Sequence, residues 1–142
     1  MIFSKLFVAG KAMVIKMKRL IAAIVLFALA FGMGVFGHIT LMKTCDELIN
    51  ELNSCIEIAN SEDRERLIEK CEYMSRWWDK KHTVLSVLVL HHELDTIQSF
   101  LPSLKDLAKF GDIEEYIENC LECINMTKDM KMNEEIDIGN VF

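Results

Sequence analysis

Helix breakers are scarce in this sequence: one proline, Pro102, and six glycines in 142 residues. That scarcity argues against a turn-rich β fold and for long helices. Acid is missing from the first 45 residues. The first acid is Asp46, whereas residues 1–19 hold Lys5, Lys11, Lys16, Lys18 and Arg19. All 22 acids and the other 11 bases lie beyond, so a +5 head precedes a −11 body, in line with the net −6. A body of that sign excludes nucleic acid as a partner, because phosphates need a basic surface. Also missing are a Ser–His–acid elbow, a phosphate-binding glycine loop, a paired-carboxylate cleft and EF-hand spacing. The chain therefore reads as a non-enzyme without a cofactor.

What is present first is one long apolar run, "LIAAIVLFALAFGMGVFG", from Leu20 to Gly37. Its 18 residues carry no charge, and a bilayer core needs about 20 apolar residues in a helix, with a lower bound near 17. With Ile39 and Leu41 beyond His38 and Thr40, residues 20–40 read as a transmembrane anchor in contact with membrane lipid. The bases before it place residues 1–19 in the cytoplasm and the acidic body outside. The alternative is a cleaved signal peptide, with "ALA" at Ala28 to Ala30 as cleavage site and the body secreted. Against it, the run exceeds the usual 7–15 residues of a signal core. "MKRLIAAIVLFALA" from Met17 is itself a complete basic-then-apolar start, so translation from Met17 and a short stub over residues 1–16 both fit.

The body reads as helices. Leu41, Cys45, Leu48, Leu52, Cys55 and Ala59 recur at spacings of 4, 3, 4, 3 and 4, one apolar stripe. "NSED", Asn60 to Asp63, caps the next helix, whose stripe is Leu67, Cys71, Met74 and Trp78. A turn is expected near Lys80 to Thr83, then a third helix from about Thr83. Val84 to Leu90 is apolar on all sides; beyond it the stripe narrows to Leu94, Ile97, Leu101, Leu104 and Ala108. Pro102 is expected to kink that helix or break it at about Leu101. "FGD", Phe110 to Asp112, ends it, and Asp112 caps a fourth helix running to about Lys128. The tail "KMNEEIDIGNVF" is expected to be irregular. The organisation predicted is thus residues 1–19 as basic head, 20–40 as anchor, 41–130 as acidic helical domain and 131–142 as tail.

Two pieces 49 residues apart look alike. "DRERLIEKC" (Asp63 to Cys71) matches "DIEEYIENC" (Asp112 to Cys120) at five of nine positions, and the preceding stripes share the offset. This predicts two stacked copies of a helical hairpin, the alternative being a chance likeness of capped amphipathic helices. Either way the fold class is all-α: a transmembrane helix followed by a small four-helix domain.

The segment richest in chemistry is "RWWDKKHTVLSVLVLHHELD", Arg76 to Asp95. His92 and Glu93 begin an H-E-x-x-H metal pattern, but position 96 is Thr96, so the second ligand is missing. His91 and His92 point about 100° apart on a helix. His92 and Asp95 are three apart and share a face, which suits a structural polar pair at a helix crossing. Trp78 extends the second stripe into the core; Trp77 falls at the bundle edge or across a hairpin, with Lys80 and Lys81 alongside for cation–π stacking. The cysteines are Cys45, Cys55, Cys71, Cys120 and Cys123. "CLEC" (Cys120 to Cys123) fits a redox pair or half a metal site, with His91 or His92 as further ligands, yet no second ligand pair appears at suitable spacing. Stripe positions suit packed, reduced thiols better. A Cys71–Cys120 bridge between the repeats stays open.

With the basic-apolar start at Met17, "W-x-K-K" (Trp78 to Lys81), "H-E-x-D-x-I" (His92 to Ile97), the "G-D" turn at Gly111–Asp112 and the ending "I-G-N-V-F", the chain resembles domain-of-unknown-function family 4363, short bacterial single-span membrane proteins. The family ending usually reads N-I-F, and Asn140–Val141–Phe142 departs from it; the cysteines and Pro102 also depart. The resemblance implies an anchored helical protein with no assigned activity, and marks Trp78, His92, Glu93, Asp95 and Asn140 as matching positions. The function expected is an extracytoplasmic protein-interaction or structural module whose helical domain meets another protein. The alternative is a thiol-redox or metal-binding membrane protein.

Overall fold

Two aspartates 49 residues apart open two helices in the same way. Asp63 Oδ1 accepts the Arg66 N–H at 3.1 Å, and Asp112 Oδ1 accepts the Glu114 N–H at 2.9 Å. Each carboxylate satisfies a backbone donor that the first turn leaves orphaned and places negative charge at the positive end of the helix dipole. The computed structural model describes residues 2–88 and 92–139, and within them the side chains of 16–88 and 94–134. It contains α1 (Ile2–Asn60), α2 (Arg64–Leu88), α3 (His92–Phe110) and α4 (Ile113–Gly139), with no strand among the described residues.

The chain divides into two units, Met1–Phe36 and Gly37–Phe142. The first is the leading part of α1. From Lys16 to Phe36 every side chain is exposed, including Leu20, Ile24, Phe27 and Phe31. α1 is the one helix among the described residues that is long and apolar enough to cross a membrane.

The second unit is a four-helix bundle. Its core takes Leu41, Leu48, Leu52 and Cys55 from α1 and Leu67, Cys71, Met74 and Trp78 from α2. From α3 come Leu94, Ile97, Leu101 and Leu104, and from α4 Tyr116, Cys120, Cys123 and Ile124. Each large side chain so buried contributes about 1.5–3 kcal/mol from the area it removes from water. Neighbours are identified by their bridges. Glu51 pairs with Lys70 and Glu47 with Lys81 (2.7 Å) between α1 and α2. Glu72 meets Lys105 at 2.9 Å and Asp79 meets Gln98 at 2.8 Å between α2 and α3. Asp46 meets Lys131 at 2.6 Å and His38 meets Glu134 at 3.2 Å between α1 and α4. With α3 packed on α4, the order is up-down-up-down, each helix antiparallel to two neighbours.

Three expectations change. The turn expected at Lys80 to Thr83, with a third helix from about Thr83, does not form: α2 continues to Leu88. No glycine or proline interrupts that stretch, and Thr83 Oγ1 donates back to Asp79 O at 2.8 Å, a bond compatible with an unbroken helix. The apolar block ending α2 is buried at Leu85 but exposed at Val84 and Val87; Val89 and Leu90 lie outside the described residues. Pro102 does not break α3, which runs through it to Phe110. Pro102 is exposed while Leu101 and Leu104 are buried, so the ring sits on the outer face and the core stripe is kept. The tail expected to be irregular is helical to Gly139, held by buried Met130 and by the bridges from Lys131 and Glu134 to α1.

The two tight turns lie together at one end of the bundle. Arg64 Nη1 donates to Lys109 O at 3.2 Å and Nη2 to Gly111 O at 3.3 Å, tying the start of α2 to the end of α3. Glu62 takes the left-handed backbone conformation (φ 60°) that glycine adopts most easily. Its partner under the 49-residue offset, Gly111, has no positive φ; it is needed for space. A Cβ there would lie 2.8 Å from Leu107 Cδ2 and 2.9 Å from Leu107 O.

Candidate functional site

Three places on the bundle carry unusual chemistry. The first is the aromatic and histidine segment of α2. Trp78 is 1% exposed and its ring lies 6.2 Å from that of Trp77 and 6.4 Å from that of His82, both tilted. Trp77 is half-buried at the edge, with Lys81 Nζ 5.5 Å from its ring centre. Lys81 also pairs with Glu47, so the cation is held from two sides. Asp95 pairs with His82 across the α2–α3 interface at 3.1 Å, a contact between helices that the His92–Asp95 spacing did not show. The His92 and Glu93 side chains, and all of His91 and Asn140, lie outside the described residues. Trp78 Nε1 and Gln98 Oε1 are buried without a partner among the described residues, although Gln98 Nε2 donates to Asp79 Oδ1. Together these groups pack α2 against α3 through His82–Asp95 and Asp79–Gln98, and against α1 through Lys81–Glu47.

The second place is the thiol-lined core. All five cysteines are free and buried. Cys71 Sγ lies 3.2 Å from Tyr116 Oη, a contact that crosses the bundle diagonally from α2 to α4. Burial pushes Cys45, Cys120 and Cys123 up to about 12 each. Cys55 is pushed up by its hydrogen bond to Cys71 and then by burial. Cys71 is drawn down by that same bond. Tyr116 is pushed up, first by burial. A nucleophilic or metal-bound sulfur is a thiolate; near neutral pH Cys120 and Cys123 keep their protons. Among the described residues no group of three His, Cys, Asp or Glu is placed to hold a metal. The core is therefore packed with small free thiols around one phenol, and the Cys71–Cys120 bridge is not formed. Tyr116 as the centre of this cluster was missed in the sequence. The signal was there: the 49-residue offset sets it against Leu67, a core position.

The third place is the end of the bundle that carries both tight turns. An open cavity of about 370 Å³ is floored by Ala59, Leu67 and Ile113 and edged by Asp63 and Arg64. On the α3–α4 turn Phe110 is 85% exposed. Neither Arg64 nor Phe110 stands out in the sequence, because the bonds from Arg64 to the residues on either side of Phe110 span 45 and 47 positions. At this end the Glu72 carboxyl, farther along α2, is held below its usual range by the hydrogen bond from Lys105.

A family model described as "Domain of unknown function (DUF4363)" matches residues 35–141. No curated protein and no solved structure matches the chain. The match covers the whole bundle and begins within the apolar stretch, and it brings no assigned residues with it.

Proposed function

As the chain belongs to the DUF4363 family, a domain of unknown function, we propose that it is a single-span membrane protein whose bundle acts outside the cytoplasm by binding another protein. It works without a cofactor and without catalysis. The observation that carries this reading is the contrast between core and surface. The five thiols sit free and buried in a packed interior, while an exposed aromatic and an open cavity stand at one end. Packed thiols suit a scaffold; an exposed aromatic beside a concave surface suits binding. The apolar helix near the N-terminus supports the anchor, and Lys16, Lys18 and Arg19 before it support a cytoplasmic N-terminus.

The test is a pair of C-terminal fusions, one to a reporter active only outside the membrane and one to a reporter active only in the cytoplasm. The expected result is an outside signal with full-length protein in the membrane fraction. An inside signal overturns the orientation. An outside signal from a shortened, soluble product overturns the anchor and leaves a secreted bundle.

A further inference from the structure

The two tight turns meet where charge, shape and exposure all depart from the rest of the bundle. Residues 49–75 and 102–126, the half nearest the turns, hold 13 acids and 5 bases, a net −8; the remaining residues after 36 hold 9 acids and 6 bases, a net −3. Asp63 and Asp112 are used as caps. Glu62, Glu65, Glu114 and Glu115 are exposed beyond what the two caps require. The cavity of about 370 Å³ falls within the range of roughly 300–1,000 Å³ usual for binding pockets, and its floor of Ala59, Leu67 and Ile113 is apolar. Arg64 lines that cavity and also holds the carbonyls of Lys109 and Gly111, the residues on either side of Phe110. Phe110, 85% exposed, thus stands on the turn that Arg64 ties to the cavity. An exposed aromatic side chain on a turn next to an apolar-floored cavity has the composition of a binding hot spot.

We infer that this turn end is the docking site for a basic segment of a partner protein, with one apolar side chain of that segment seated in the cavity and its lysines or arginines facing the surrounding acids. The inference rests on the extracytoplasmic interaction reading and names its surface and partner chemistry. The sign of the charge selects the occupant. A net −8 repels anionic lipid, nucleic acid and the same end of a second copy, and attracts a basic segment while speeding its approach. The basic residues 1–19 of another copy lie, under that reading, across the membrane.

The probe is the fluorescein-labelled peptide Lys-Lys-Leu-Phe-Lys-Lys, titrated by anisotropy onto the full-length chain in neutral-lipid nanodiscs. Two control peptides replace Leu-Phe by Ala-Ala or every lysine by glutamate. The expected result is saturable binding of the first peptide and at least fivefold weaker binding of both controls. Phe110→Ala and Glu62→Lys are each expected to weaken it at least fivefold, and Asp129→Lys, the same charge change in the other half, to leave it within twofold. Both test positions are exposed, so the bundle is retained, and circular dichroism checks that it is. Equal losses in Glu62→Lys and Asp129→Lys mean bulk attraction and overturn the site, as does the absence of peptide binding. A photoreactive residue at Phe110 or at exposed Leu121, used in intact membranes, separates the two levels. Cross-links from Phe110 alone support the dock. Cross-links from Leu121 alone overturn the dock and leave the interaction reading standing. Cross-links from neither overturn both.

Discussion

The two hairpins of the bundle, α1–α2 from Gly37 and α3–α4, use one plan with different volumes. Under the 49-residue offset Leu67 stands for Tyr116, Cys71 for Cys120, Met74 for Cys123 and Trp78 for Thr127, and all eight are buried. The same plan sets Cys55 against Leu104 and Ala59 against Ala108. Where one hairpin carries bulk, the other withdraws it: Tyr116 is the larger member of its pair at one level, and Trp78 of its pair at another. A close-packed core fixes the total volume at each level rather than the residue. Repeat positions are therefore equivalent in place and unequal in energy.

The largest test of that inequality is Trp78→Ala against Thr127→Ala. Loss of the indole from a fully buried position is expected to cost about 3–5 kcal/mol. Thr127, whose hydroxyl donates to its own helix at Cys123 O, is expected to cost about 1 kcal/mol or less, since that bond is local. Urea midpoints followed by circular dichroism decide; similar losses at the two positions refute the volume argument.

The cysteines sharpen it through pH. The folded thiols of Cys45, Cys120 and Cys123 are pushed up to about 12 from an ordinary 9.0. Above pH 9 the unfolded chain releases protons that the bundle retains. Stability is thus full below pH 9 and falls as pH rises toward 12, by about 1.4 kcal/mol per pH unit for each thiol. Denaturation at pH 8, 9 and 10 is expected to show the slope, and Cys120→Ala to flatten it by one thiol's share.

The two turns differ next. Gly111→Ala is expected to destabilise by about 1–3 kcal/mol, because the new methyl meets Leu107 O as well as its side chain. Each cap, by Asp63→Ala or Asp112→Ala, is expected to cost about 1 kcal/mol. Smallest, and of opposite sign, Glu62→Gly is expected to raise stability by about 0.5–1 kcal/mol, as glycine adopts φ 60° without a Cβ penalty. Thermal midpoints of the four variants rank them; a destabilised Glu62→Gly would give that side chain a role beyond the turn.

Much of the fold is legible in the sequence because stripes and caps are local. The α1, α2 and α3 stripes, Asp63, Asp112 and the offset between the hairpins all follow from 3.6-residue spacing and cap chemistry. The end of α2 and the helical tail did not follow, for a physical reason. Polar composition says little about helix length when cross-helix bridges such as Lys131 to Asp46 hold a segment in place. Asp95 shows the same limit. Its spacing favours His92, three residues away, yet its partner among the described side chains is His82, thirteen away on the neighbouring helix. The turn-end site was least legible, since Arg64 reaches the turn that carries Phe110 only through tertiary structure.

Burial of all five sulfurs also makes the molecule a record of its own opening. A thiol reagent in solution has no route to Cys55 or Cys120 while the helices stay packed. Its rate of reaction then equals the intrinsic rate multiplied by the fraction of time the bundle is open. Because the cysteines occur on α1, α2 and α4, comparing their labelling rates distinguishes one helix peeling away from the whole core coming apart.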